Sequence, residues 1–356
     1  MNATARRLAE DIVSLDLEGT SVESPVVIDD ENAASVLNQL DAERILGVAV
    51  RALEAGDLVA NDEFGHELIA RHDAVMAQTM RVELMAARLS GLLTERGIRH
   101  RLLKGAALAH TVARSPMERS FRDVDVLVSG ADMDRAVALV IGEGGTRNQP
   151  PLRDGFDARF GKSVTLRLDD VEVDLHRVLS PGPFGVWMNP HDLFVLKDEL
   201  QIAGVTLPTL DATDHLVHAC YHAALGQREP VLANLRDIAL LAEASIDGPR
   251  LMETVERWRG VAVVKRAVGL VQSALDVELP EVLLQVKRHT PDTAETAAID
   301  PYLTDDPRGR FASLAPHTLR ALPARDRAAF ARAVGFPAGT DPMDRAKSLI
   351  RRARNR

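Results

Sequence analysis

The stretch Phe121-Arg122-Asp123-Val124-Asp125-Val126-Leu127-Val128 alternates carboxylates with valines. On a β-strand that spacing sends Asp123 and Asp125 to one face and Val124, Val126 and Val128 to the other, so one side reads as core and the other as an acidic surface. Further along, Val171-Glu172-Val173-Asp174-Leu175-His176 has a similar apolar alternation and offers a third carboxylate, Asp174, with His176 on its strand face. Three carboxylates converging in one cleft are unfavourable unless cations neutralise them. The expected cation is Mg²⁺, a hard ion that takes oxygen ligands and accepts phosphate as a co-ligand.

Around these two segments, residues 98–210 read as short strands alternating with helices. A strand over 98–103 enters the turn Lys104-Gly105 and a helix over 106–113 follows. Strand 123–128 is followed by helix 131–141 and the glycine-broken stretch Gly142-Glu143-Gly144-Gly145. Strands 163–168 and 171–176 flank Asp169-Asp170, which suits a tight hairpin turn, and Ala203-Gly204 before Val205-Thr206-Leu207-Pro208 suggests another. On both sides the pattern is helical. Residues 1–97 read as helical throughout, with Leu68, Val75, Met80, Leu84 and Leu89 at helical spacing, and helices are expected over 212–225, 231–243, 249–258 and 261–275. The expected fold class is α+β: a small mixed sheet over 98–210 between a helical N-terminal domain (1–97) and a helical domain (211–300) that completes a cleft. Pro301, Pro307, Pro316, Pro323, Pro337 and Pro342 make 301–356 a segment of short helices or partial disorder.

Composition narrows the function. The chain has 356 residues, 46% of them hydrophobic and 4% aromatic, which supports real cores but few stacking platforms for single-stranded bases. The single cysteine, Cys220, excludes an internal disulfide and a thiolate metal cluster and reads as a buried helix residue. No apolar run is long enough to span a bilayer, and the N-terminal residues lack the apolar core of a signal peptide, so a cytoplasmic location and no membrane partner are expected. The net charge of −9 disfavours an extended nucleic-acid interface. The last twelve residues nevertheless hold six basic side chains and no acid, which keeps RNA open as a minority partner.

In order, Leu103-Lys104-Gly105-Ala106, Arg119-Ser120-Phe121-Arg122-Asp123-Val124-Asp125-Val126-Leu127-Val128 and Val171-Glu172-Val173-Asp174-Leu175-His176 resemble the nucleotidyltransferase superfamily typified by DNA polymerase beta. More narrowly they are similar to an uncharacterised bacterial nucleotidyltransferase family in which Leu-Lys-Gly, Arg-x-x-x-Asp-x-Asp-Leu-Leu-Val and Asp-Leu-His recur. The resemblance runs from about residue 102 to 243 and takes in His215-Leu-Val-His218-Ala-Cys-Tyr-His222 and Leu235-Arg236-Asp237-Ile238.

The resemblance implies a Mg²⁺-dependent enzyme that moves a nucleoside monophosphate from an NTP to an acceptor and releases pyrophosphate. Asp123, Asp125 and Asp174 are its expected catalytic and metal-holding residues, with two Mg²⁺ ions, or Mn²⁺ in their place. Lys104, Gly105 and Arg119 are expected to receive the triphosphate. His218 and Asp237 are expected to line the nucleotide or acceptor cleft. Ala106 departs from the superfamily, which usually has glycine or serine there, and supplies no hydroxyl to a phosphate. His215, His218 and His222 share one helix face, but without a His-Glu-x-x-His motif they read as hydrogen-bonded core-edge residues rather than zinc ligands. Two other readings stay open: a glycosyltransferase whose Asp-x-Asp holds a metal and a sugar nucleotide, and a nucleotide-binding module without turnover. The acceptor is left as a small molecule, peptide or protein.

Overall fold

The computed structural model describes residues 3–303 and 307–335 and, within 307–312, the backbone alone. The basic stretch 345–356 lies outside the described residues. The first part is helical: α1 (Ala3–Ser14), α2 (Ala33–Ala42), α3 (Leu46–Ala55) and the long α4 (Asp62–Glu95). It is not helical throughout, because β1 (Val26–Val27) and β2 (Leu58–Val59) pair in parallel between these helices. The start of α4 follows from its sequence: the Asn61 side chain accepts from the Phe64 N–H at 2.8 Å, and Asp62 and Glu63 lie where the helix dipole favours negative charge. Its end is set by Gly97, whose φ of +63° lets Ile98 N–H reach back to the Leu93 carbonyl. Leu68 and Leu89 are buried as their spacing predicts, whereas Met80 and Leu84 are exposed, because α4 covers the core with one face only.

The sheet is built from β3 (His100–Leu102), β4 (Asp123–Val128), β5 (Thr146–Arg147), β6 (Ser163–Leu168), β7 (Val171–His176), β8 (Asp198–Ile202) and β9 (Val205–Thr209), in the order β5-β6-β7-β4-β3-β9-β8. β4 runs parallel to β7 and antiparallel to β3. Asp169 and Asp170 both take positive φ in the β6–β7 hairpin, as do Ala203 and Gly204 between β8 and β9, the backbone that a two-residue turn between right-twisted strands requires. Helices α5 (Lys104–Thr111), α6 (Met133–Gly142), α7 (Phe156–Arg159) and α8 (Gly182–Trp187) are interspersed. α9 (Ala212–Leu225), α10 (Leu232–Glu243), α11 (Gly248–Arg257), α12 (Val261–Ala274), α13 (Glu281–Arg288), α14 (Thr293–Ile299), α15 (Pro307–Ala321) and α16 (Ala324–Gly335) complete the described chain.

Two cores divide the faces of β4. Val124, Val126 and Val128 belong to a core shared with Val82, Leu89 and Leu93 of α4 and Met133 and Leu139 of α6. Leu127, on the opposite face, joins the larger helical core with Leu216, Val217 and Cys220 of α9 and Val36 and Leu40 of α2. The face that carries the aspartates is therefore turned toward the helical layer. No described helix is long and apolar enough to cross a membrane.

Candidate active site

The pairing register decides what the strands bring together. Across the parallel β4–β7 pair Asp125 stands beside Asp174, Asp123 beside Glu172 and Leu127 beside His176. Residues in register share a face, so Asp123, Asp125, Glu172 and Asp174 form a two-by-two patch of carboxylates, with His176 at its end. Glu172 was not singled out in the sequence, although the same period-two alternation that exposes Asp174 carries it to this face.

The patch is densely bonded. Asp125 is 4% exposed, and its Oδ1 accepts from Lys104 Nζ at 2.7 Å and from His176 Nε2 at 2.6 Å. Burial alone would raise its pKa, but Lys104 and His176 hold it well below the ordinary carboxylate value. Asp123 has no such partner among the described residues: burial, then the charge of Asp125, push it up to about 6, with Lys104 opposing. Asp174 Oδ1 accepts from Thr165 Oγ1 at 2.5 Å, across the β6–β7 register. His176 is fully buried, and burial lowers its pKa despite Asp125. A neutral imidazole that donates from Nε2 leaves Nδ1 as a lone pair, and that atom has no partner among the described residues.

Lys104 opens α5 with φ +43°, so the left-handed turn falls on the lysine and not on Gly105. Leu103, the cap residue, offers no side-chain acceptor to the first turn of α5, and its own N–H bonds the Asp125 carbonyl, which brings the start of α5 next to the patch. Gly105 is buried, and a Cβ there would meet Phe121 Cγ at 2.7 Å, so contact with Phe121 demands its small size. The Lys104 ammonium is held charged: burial opposes it, but Asp125, then Asp123 and Asp174, raise its pKa.

Arg119 and Asp237 meet each other. The guanidinium grips Asp237 through Nε at 3.0 Å and Nη2 at 2.9 Å while Nη1 donates to the Ser120 carbonyl at 2.7 Å. Both residues are buried, and their fork joins the segment before β4 to α10. Arg44 lies in the field of this site: partial burial, then the charges of Arg119 and Arg122, lower its pKa, and the charge of Asp123 opposes them. Arg44 had no sequence signal. Arg44 comes from the turn after α2, at φ +59°, and reaches the site only through the tertiary fold.

α9 lies over the patch. Burial, then the nearby Lys104 charge, hold His218 and His222 well below the ordinary histidine pKa. His215 instead bonds Thr209 Oγ1 at 2.9 Å, and burial pushes it down to about 4. Lys162, at the entry to β6, also senses Lys104, Asp125 and Asp174, and burial lowers its pKa first. It makes no ion pair among the described residues, and nothing in its local sequence marks it. Among the described residues, the groups whose ligand atoms all lie within 4.8 Å of one another are Asp125, Asp174 and His176.

Residues 29–276, more than half of the chain, match the family described as uncharacterised nucleotidyltransferase. The chain belongs to that family. It is a nucleotidyltransferase, and the carboxylate patch, Lys104 and α9 all fall within the matched region, whereas α15 and α16 lie beyond it. Among solved structures, the enzyme is similar to the antibiotic-resistance factor ANT(2'')-Ia, at 17% identity and a TM-score of 0.36, over 55% of this chain and 97% of that one. It is also similar to an antigenic nucleotidyltransferase-like protein from Paracoccidioides brasiliensis, at 15% identity and a TM-score of 0.34, over 55% and 94% of the two chains. Comparison with curated proteins gave no match.

Proposed function

We propose that the enzyme transfers a nucleoside monophosphate from an NTP to the hydroxyl of an acceptor and releases pyrophosphate in a Mg²⁺-dependent reaction. The observation that carries this reading is the register that sets Asp125 beside Asp174, with Asp123 two positions along the same strand and the Lys104 ammonium among them.

The donor set suits divalent ions, with Asp125 and Asp174 in the converging group and Asp123 outside it. Asp123, Asp125 and Asp174 offer the oxygen ligands that Mg²⁺ prefers, and burial, then the charge of Asp125, pushes Asp123 up to about 6 against the pull of Lys104, which supports a place for further positive charge. His176 Nε2 donates to Asp125, so its role is to orient that carboxylate. When bound, the ions lower the pKa of the acceptor hydroxyl and stabilise charge on the leaving pyrophosphate. The chain's own groups do the rest. Lys104 and the free N–H groups that open α5 receive the triphosphate, and Arg44 and Arg122 extend this cationic rim past Asp123. Arg119 and Asp237 brace α10 against the site. The acceptor oxygen attacks the α-phosphorus as the bond to the bridging oxygen breaks; that electron pair leaves with pyrophosphate, and Asp174 takes the hydroxyl proton. The neutral His218 and His222 close the site with α9 and add no charge to compete with Lys104.

The test is pyrophosphate release from each of the four NTPs, with Mg²⁺ or Mn²⁺ and cell extract as the source of acceptor. The double variant Asp123→Ala with Asp125→Ala should lose roughly 10³-fold or more of the wild-type rate. Equal rates would reject the assignment, and release of a nucleoside diphosphate from a sugar nucleotide would favour the glycosyltransferase reading.

A further inference from the structure

Resting on that reading, we propose that the cavity beside Thr165 is the acceptor site and that it takes a small molecule with a hydroxyl on a flat, apolar ring system. The cavity holds about 710 Å³ and is lined by three elements of different origin. Thr165 and Glu172 belong to the sheet face that carries Asp174. Phe156, Phe160 and Lys162 come from α7 and its exit, and Leu314, Thr318 and Phe330 from α15 and α16.

Position argues for the acceptor rather than the triphosphate. In the sheet order β6-β7-β4-β3, the carboxylates of β7 and β4 stand between the cavity on the β6 side and α5, which follows β3. In-line displacement requires the nucleophile to approach opposite the leaving group. With pyrophosphate leaving toward Lys104 and the start of α5, the attacking oxygen enters from β6, through the cavity. Thr165, bonded to Asp174, marks the point where cavity and carboxylates meet.

The lining sets the ligand chemistry. Phe156, Phe160 and Phe330 pack with ring centroids 5.6–6.3 Å apart and, with Leu152 and Leu314, form an apolar wall suited to a flat ring. Polar groups line the cavity too: Lys162 senses the charges of Asp125 and Asp174 and pairs with no carboxylate among the described residues, so it is the cation we assign to the acceptor oxygen. The volume is that of a small-molecule pocket and too small for a folded partner or an RNA helix. The wall from α15 and α16 lies outside the family match, so acceptor choice is set by a part of the chain that the shared region does not contain.

The experiment uses the full chain and 2-naphthol as the probe, with binding followed by saturation-transfer NMR and by the probe's own fluorescence. Wild type should bind it saturably at one site. Ala315→Trp, which fills the cavity from α15, and Phe160→Ala, which removes part of the apolar wall, should each weaken binding at least tenfold. Circular dichroism confirms that each variant is folded, and either variant alone suffices. Naphthol binding that is absent from wild type, or unchanged in the folded variants, overturns the assignment. Binding of a non-hydrolysable ATP analogue with Mg²⁺ is measured on the same samples. Its absence from wild type would sink the nucleotidyl-transfer reading and leave the cavity result to stand by itself.

Discussion

Lys104 Nζ lies 2.7 Å from Asp125 Oδ1, and the same ammonium senses the charges of Asp123 and Asp174. The lysine neutralises part of a patch that would otherwise repel itself, and in the proposed reaction it would also meet a triphosphate arriving at α5.

Removing that cation separates the two. In Lys104→Met, Asp125 keeps only His176 as a partner, and breaking a buried pair of this kind costs about 3–5 kcal/mol. Mn²⁺ should restore much of the loss, so the rise in Tm on adding Mn²⁺ should be several degrees larger in the variant than in wild type. The check is a pair of melting curves with EDTA or Mn²⁺; equal shifts would show that the metal does not use the carboxylates that Lys104 compensates.

Asp123 gives a pH signature of definite sign. Its folded pKa of about 6 lies above the ordinary 3.8, so the folded state binds the extra proton between roughly pH 4 and 6. Stability from this group is present below pH 4 and is lost as pH rises through 6, by up to about 3 kcal/mol. In EDTA, Asp123→Asn should therefore melt higher than wild type at pH 7.5 and lose that advantage at pH 4. A constant difference across this range would mean that Asp123 is not crowded by its neighbours.

These two residues also show how far the sequence could be read. Asp123, Asp125 and Asp174 were legible because a strand of period two leaves few ways to place them, and β4, β6 and β7 fall at their expected positions because hairpin turns and apolar alternation are local signals. Glu172 was legible by the same rule. Arg44 and Lys162 were not, because each reaches the site through long-range packing and has no motif of its own. Arg119 and Asp237 show the converse: their types were read as ligand-binding, but only the fold reveals that each is the other's partner. The role of Gly105 likewise turns on Phe121, a contact that no spacing rule announces.

The Arg119–Asp237 fork should behave as a joint. Arg119→Ala or Asp237→Ala leaves the partner's charge buried and should cost about 3–5 kcal/mol, whereas Arg119→Met combined with Asp237→Leu should recover most of it. Urea unfolding of the four proteins without nucleotide measures the coupling. If the single variants unfold like wild type, the pair does not brace α10, and a direct role for Arg119 on phosphate gains ground.

Gly105→Ala makes the final case, because it separates a packing requirement from a phosphate-binding one. The new methyl group would sit 2.7 Å from Phe121 Cγ and 2.8 Å from Phe121 Cβ, distances at which something must shift. Phe121 is 4% exposed and packed into the sheet core, so overpacking should destabilise the protein by about 1–3 kcal/mol. The second-site change Phe121→Ala removes Cγ, the nearer of the two clashing atoms, together with the whole ring. It should return part of the stability lost in Gly105→Ala while being destabilising by itself, a sign reversal that chemical denaturation resolves. Nucleotide affinity measured on the relieved double variant then reports on the backbone of α5 alone: affinity near wild type means that Gly105 serves Phe121, and affinity that stays low after stability returns means that the phosphates themselves need the glycine.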